Sequence, residues 1–320
     1  MRDRDSFQAA TLSPFAAWSS RFLPSGTAET LAIGTHKSAI TLLVLERRRL
    51  LERRLGPFGY DVTWTHFTSA SAVIEAMRDG FIDLGYSGAV LPILAAARGT
   101  PIVTLANDLP SPRSTAIVVA HASPISQVSE LRGRAVAFDY DSNSEWLLVS
   151  ALRKVGLTIA DIVPTPLAPA KAEAAFRSGA VDAWVVSDPG LAAAQAAGAR
   201  ILADATGITP NCGFYIARRN VAARAPDVLQ AVLRAVTETE AEIAAHRPEV
   251  AADLAPIVGV PAPSLNLALS RKTWGVASTD ERVLAEQQRI ADYFAEAERI
   301  PERADAAVLS VPFRLSSGAR

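Results

Sequence analysis

Hydrophobic and polar positions alternate in a repeating order along this chain, a short apolar run, a polar loop, then a stretch at helical spacing. Leu31-Ala-Ile-Gly34 reads as a buried strand, Thr35-His-Lys-Ser38 as its exit loop, and Ile40 to Leu55 as one amphipathic helix stopped by Gly56-Pro57 and Gly59. Asp61 to Phe67 alternates like a strand and leaves through Thr68-Ser-Ala-Ser71 into a helix over Ala72–Arg78. A third strand, Ile82–Tyr86, exits at Ser87-Gly88, a helix follows over Pro92–Arg98, and Ile102–Ala106 is a fourth strand. This strand-loop-helix order predicts a parallel sheet covered by helices on both faces.

Asn107-Asp-Leu-Pro-Ser-Pro-Arg113 is dense in turn residues and reads as a crossing into a second series. There the strands are Thr115–Ala120, Ala135–Phe138, Ile162–Pro166 and Ala183–Val186, and the helices Leu147–Val155 and Ala170–Ser178. Ser126 to Arg132 reads as a short capped helix that turns at Gly133. Asn211–Ala217 is apolar and reads as the crossing back, and from Pro226 onward the pattern is helical, with stops near Pro248, Gly259-Val-Pro261, Trp274-Gly275 and Pro301. The expected organisation is a poorly ordered extension over 1–29, lobe 1 from 30–112 plus 216–320, and lobe 2 from 113–215. Two α/β lobes joined by two crossings describe a hinged clamp.

Composition narrows the function. A length of 320 residues suits two lobes, and 49% hydrophobic residues suit packed cores. The net charge of −1 offers no basic field for nucleic acid. Arg47-Arg48-Arg49 and Arg53-Arg54 interleave with leucines, as on the solvated face of a helix. One cysteine and four scattered histidines leave neither an internal disulfide nor a metal motif, so no cofactor is expected. No apolar run of ~18 residues spans a membrane. Within residues 1–30 Arg2 and Arg4 are mixed with Asp3 and Asp5, and no continuous apolar core follows, so no signal peptide is recognisable.

The chemistry lies in the strand-to-helix loops, whose backbone N–H groups and helix dipoles suit an anionic guest. Lys37 offers a positive charge, with His36 and Ser38 as donors; Thr68 and Ser69 offer hydroxyls as well as helix capping. Ser87 and Gly88 pair a small donor with close backbone approach. Ser142, Asn143, Ser144 and Glu145 fit a capping box, Glu145 reaching back to the cap amide. Ser187 closes another strand, and the Asp188 carboxylate there suits fixing a loop or receiving an amine more than acid–base work. Phe214 and Tyr215, at the second crossing, are candidate walls of the pocket, and Trp274 follows Arg271 and Lys272 in a loop expected to reach across the cleft, whereas Trp184, in an apolar strand, belongs to the core.

Several stretches carry a family resemblance: Ile33-Gly-Thr-His-Lys37, Ala76–Gly88, Ser123–Gly133, Ala174–Trp184, Ser187-Asp-Pro189 and Glu286–Asp292. In order and spacing the chain from about Leu31 to about Val308 resembles the aliphatic sulfonate-binding proteins of ABC importers, within the nitrate-, sulfonate- and taurine-type solute receptors and related thiamine-pyrimidine-type proteins. The resemblance implies a type II periplasmic-binding-protein fold with the ligand in the interlobe cleft. It implies no catalysis, a small sulfonate-like organic anion as guest, and delivery to an ABC permease with its ATPase, with no nucleic acid as partner. A monomer in the periplasm is expected; without a recognisable signal peptide a cytoplasmic place stays open.

There are departures. Asp139-Tyr-Asp-Ser142 stands where relatives commonly show Lys-Gly-Ser, Ser187 and Gly190 stand where aromatics are expected, and Lys171 replaces an aspartate. Acidic groups in one loop and lost bulk in another imply a roomier pocket and a ligand that carries both charges or a larger tail. The alternative is an enzyme on the same scaffold, desulfinase-like or pyrimidine-precursor-forming. Against it, Cys212 has no evident histidine partner and no Ser-His-Asp spacing is legible.

Overall fold

The computed structural model describes residues 28–301 and 305–309, so the expected extension over 1–29 lies almost entirely outside the described residues. The chain begins with β1 (Glu29–Thr35), α1 (Ile40–Arg47), α2 (Leu50–Leu55), β2 (Tyr60–His66), α3 (Ala70–Arg78), β3 (Leu84–Gly88), α4 (Val90–Ala97) and β4 (Ile102–Asp108). The second series is β5 (Thr115–Val119), β6 (Ala135–Phe138), α5 (Asn143–Lys154), β7 (Val163–Pro166), α6 (Pro169–Arg177), β8 (Ala183–Ser187), α7 (Gly190–Ala196) and β9 (Arg200–Asp204). It returns through β10 (Gly213–Arg218), α8 (Arg219–Arg224), α9 (Pro226–Ala245), α10 (Arg247–Val258), α11 (Ala262–Arg271), β11 (Val276–Ala277) and α12 (Glu281–Glu296).

The strands form two sheets, ordered β11-β4-β10-β3-β1-β2 and β7-β6-β8-β5-β9. Each is mixed, not wholly parallel: β10 and β11 run antiparallel to their neighbours in the first, and β5 runs antiparallel to β8 and β9 in the second. The cause is topological, because a chain that re-enters a lobe through a crossing meets its neighbours head to tail. The lobe boundary expected after Tyr215 falls inside β10, whose residues from Gly213 already pair with β3. Lobe 1 therefore resumes at Gly213. Strand β9, half-exposed along its length, was not legible as a strand because Arg200 and Asp204 break its apolar run.

Helices cover both faces of both sheets. In lobe 1, α1, α2 and α9 share one core with the sheet, and α3, α4 and α12 share the other. In lobe 2, α5 packs on one face and α6 with α7 on the other. The helix expected over 40–55 breaks at Arg49, which is left-handed (φ 51°). Continued from the buried Leu42 and Leu45, a straight helix would turn Arg49 and Glu52 to the core; the break re-phases the stripe so that Leu51 and Leu55 are buried instead. The expected helix over 126–132 is only a 3₁₀ turn, Val128–Leu131, before the left-handed Gly133. The arginines of α1 and α2 are tied to their neighbours, with Arg47 on Asp253, Arg48 on Glu242 and Arg54 on Glu238.

Candidate functional site

The pairing register decides which strand ends face each other. Gly213, at the end of the second crossing, pairs with Gly88 at the end of β3. Thr115, at the end of the first crossing, pairs with Ser187 at the end of β8. Parallel neighbours then bring the carboxyl ends of β1, β2 and β3 to the crossings from one lobe, and those of β6, β7 and β8 from the other. The cleft is thus edged by polar loops and helix N-termini, the usual place for a ligand in such sheets.

In lobe 1 the His36 ring is buried, with Nε2 3.2 Å from the Tyr86 carbonyl and Nδ1 3.4 Å from the Ser38 amide. Burial lowers its pKa, which fits a neutral ring that donates from Nε2 and accepts at Nδ1. Lys37 and Ser38 are exposed. The Lys37 ammonium lies beside Gly259, 3.1 Å from where a Cβ there would stand, at the carbonyl end of α10, which attracts a cation. Thr68 is exposed, and Ser69 caps α3, accepting from the Ala72 amide at 3.3 Å and sharing a hydrogen with Ser71 at 2.8 Å.

An expected donor and an expected wall of the cleft are turned elsewhere. Ser87 is fully buried and its hydroxyl donates to the Gly88 carbonyl at 3.0 Å, because the strand's alternation points it inward. Phe214 is 1% exposed and packs in the core with α3, α4 and α12, so it does not wall the cleft. Gly88 does meet a partner closely: a Cβ there would stand 2.7 Å from Asn143 Oδ1. Asn143 ties the lobes together, accepting from the Ala89 amide at 2.8 Å and donating to Asn211 Oδ1 at 3.0 Å and the Cys212 carbonyl at 3.2 Å. Asn211 in turn donates to the Ser111 carbonyl at 3.1 Å and Ser114 Oγ at 2.9 Å, so one amide relay joins both crossings.

In lobe 2 Ser142 caps α5 by accepting from the Ser144 and Glu145 amides, and it donates to the Asp139 carbonyl at 2.6 Å. Glu145 accepts from the Asp141 amide at 2.8 Å, one residue beyond the cap amide that a capping box would use. Ser144 is buried. Ser187 shares a hydrogen with Thr115 at 2.7 Å. Asp188 accepts from Arg271 Nη1 at 2.8 and 3.0 Å and from the Ala192 amide at 3.0 Å, fixing its loop as the sequence suggested. Burial holds its carboxyl up at about 6 although Arg271 and the amide pull it down. Trp274 is half-buried, its indole donating to the Leu269 carbonyl at 3.0 Å. Trp184 lies in the core against Phe176.

Sequence reasoning missed two groups of residues. One is a buried ionic network at the carboxyl end of β4: Lys272 lies 3.0 Å from Asp108 and 3.3 Å from Glu240, which also accepts from Thr41, Tyr215 and the Gly275 amide. Tyr86 donates to Asp108, passing so close to Gly213 that a Cβ there would stand 1.9 Å from its hydroxyl. The other is a set of straps from the C-terminal helices to lobe 2. Besides Arg271 on Asp188, Trp146 donates to Glu286 at 2.7 Å, and Arg299 bonds Glu145 at 2.9 Å and Asp141. Nothing in local spacing marks these straps, whose partners stand 83 to 158 positions apart.

Two lobes, two crossings and a polar cleft with helix N-termini at its rim define a hinged binding protein. A family model described as the phosphonate periplasmic substrate-binding protein of ABC transporters matches residues 45–260. The crystal structure of the periplasmic aliphatic sulphonate binding protein from Escherichia coli is 36% identical, with a TM-score of 0.84, covering 88% of this chain and 97% of that one. The alkanesulfonate-binding protein from Xanthomonas axonopodis pv. citri bound to MOPS is 31% identical, with a TM-score of 0.81, covering 89% and 99%. The chain belongs to the periplasmic substrate-binding proteins of ABC transporters, among the sulfonate-binding members. A desulfurization enzyme shares the fold alone, at 15% identity and a TM-score of 0.65 over 89% and 96% of the chains.

Proposed function

We propose that this protein is the solute receptor of an ABC importer, which captures an organic sulfonate between its lobes and delivers it to a membrane permease with its ATPase. The observation that carries this reading is the convergence of the β1–β3 and β6–β8 ends on one cleft. It is supported by family membership and by the sulfonate ligands named for the relatives. On this reading the protein works as a monomer in the periplasm. The loops of lobe 1, with Lys37, Ser38, Thr68 and Ser69, receive the sulfonate oxygens through hydroxyls and amides. Lobe 2 closes over the guest by bending at the two crossings that Asn211 joins.

The enzyme reading has little to work with at its one thiol. Cys212 is buried, and burial with nearby carboxylates pushes the thiol up to about 12, so the nucleophilic thiolate is suppressed. The test is a thermal-shift and calorimetric screen of C2–C6 alkanesulfonates, taurine, nitrate and sulfate. A sulfonate at 100 times its Kd adds about 2.7 kcal/mol of stability. Absence of a shift with every sulfonate, or turnover of any of them, overturns the proposal.

A further inference from the structure

The loop Asp139–Glu145 places three carboxylates at the lobe 2 rim of the cleft, and their counter-charges are unevenly shared. Arg299 bonds both Asp141 and Glu145, and Arg98 lies 3.5 Å from Asp141. The Tyr140 ring packs against the Arg299 guanidinium, 3.6 Å from its centroid, and holds it on that side of the loop. Across the rim, Asp188 is taken by Arg271. Two guanidiniums against three carboxylates leave one negative charge, and it falls on Asp139. No cationic side chain among the described residues reaches it within ion-pair distance.

Asp139 is also well placed. It directly follows β6, and the β6–β8 register continued to it sets it level with Val186, one residue before Ser187 at the end of β8. Its backbone is fixed by the Ser142 hydroxyl on its carbonyl at 2.6 Å and by the Leu167 amide on the preceding carbonyl at 2.9 Å. The side chain is half-buried, so water screens it poorly. Burial, with Glu145 and Asp141 nearby, holds the carboxyl up at about 6. A half-buried carboxylate that is rigidly mounted and unpaired presents a standing demand for a cation.

We propose that Asp139 is a specificity-determining residue of the cleft and that the ligand is a zwitterionic aminoalkanesulfonate whose ammonium group it binds. This rests on the sulfonate-receptor reading above and names its substrate class. The sulfonate occupies the lobe 1 loops and the ammonium reaches across to the end of β6, so the two poles of one ligand draw the lobes together. A neutral hydroxyl would leave the charge uncompensated, whereas an ammonium forms a charge-assisted hydrogen bond.

The test is calorimetry on the full chain at pH 7.5 with 3-aminopropane-1-sulfonate and butane-1-sulfonate, which differ only in the terminal ammonium or methyl. Wild type binds the amino ligand tighter by about tenfold or more, the scale of one charge-assisted contact. In Asp139→Asn the amino ligand weakens until the two affinities agree within about threefold, while butane-1-sulfonate holds or tightens. Retained binding of butane-1-sulfonate also shows that the variant is folded. A preference that survives in Asp139→Asn, or a wild-type preference for butane-1-sulfonate, overturns the proposal and leaves the receptor reading standing. Binding of neither sulfonate by wild type overturns both.

Discussion

Removing Arg271 separates the cost of burying a charge from the benefit of pairing it. Arg271 and Asp188 have side chains only 10% exposed and belong to different lobes, and Arg271 also bonds Gln195. In Arg271→Ala the carboxylate stays buried with only the Ala192 amide as donor, which at neutral pH costs about 3 kcal/mol, the low end for breaking a buried pair. For a chain of this length that is about 4–5 °C in Tm. The loss depends on pH with a definite sign. In the wild type the folded carboxyl titrates near 6, above its unfolded value of about 3.9, so its contribution to stability is fully present below about 4 and is lost as pH rises through 6. Without the guanidinium the folded value rises further, and at pH 5 Asp188 sheds its charge by protonation. Urea unfolding at pH 5.0 and 7.5 therefore shows a deficit of about 1 kcal/mol at the lower pH and about 3 at the higher. Equal deficits at both pH values would refute the reasoning.

Asp139→Asn removes an unpaired carboxylate whose folded value of about 6 exceeds the unfolded one, with Asp141 and Glu145 as its charged neighbours. It stabilises the ligand-free protein by about 1–2 kcal/mol at pH 7.5, after a discount for partial exposure, and the gain vanishes below about pH 4 in urea unfolding. Gly213→Ala drives a methyl into the Tyr86 hydroxyl that Asp108 holds, and lowers stability by about 2–3 kcal/mol in the same measurement. Trp146→Phe keeps the ring but leaves Glu286 without its indole donor, a loss of about 1–2 kcal/mol accompanied by faster hydrogen exchange where α5 meets α12.

Much of this architecture could be read from local pattern. The order of strand, polar loop and helix located both series, because each element is set by its own spacing of apolar residues. Ser69 and Ser142 declared themselves as caps for the same reason. What stayed hidden depends on contacts between distant residues. The break at Arg49 follows from what α9 needs to bury, and the inward turn of Ser87 and Phe214 follows from β10 inserting between β3 and β4. The charge of Lys37 was legible in its loop, but the place of its ammonium beside the carbonyl end of α10 was not, because Gly259 stands more than 200 positions along the chain. The rim charges were visible as letters, but which of them stays unpaired depends on where Arg271 and Arg299 fold back.

The place of β10 carries a consequence for how this molecule is made. The middle of the first sheet belongs to a strand that is synthesised only after all of lobe 2, with β4 ending at Asp108 and β10 starting at Gly213. Until that segment arrives, β3 and β4 stand apart with open edges, whereas lobe 2 comes from one unbroken stretch and can mature at once. Such long-range closure slows folding and prolongs the exposure of unpaired strands. A nascent molecule therefore passes through a stage with one finished half and one unsealed half, the stage most vulnerable to aggregation.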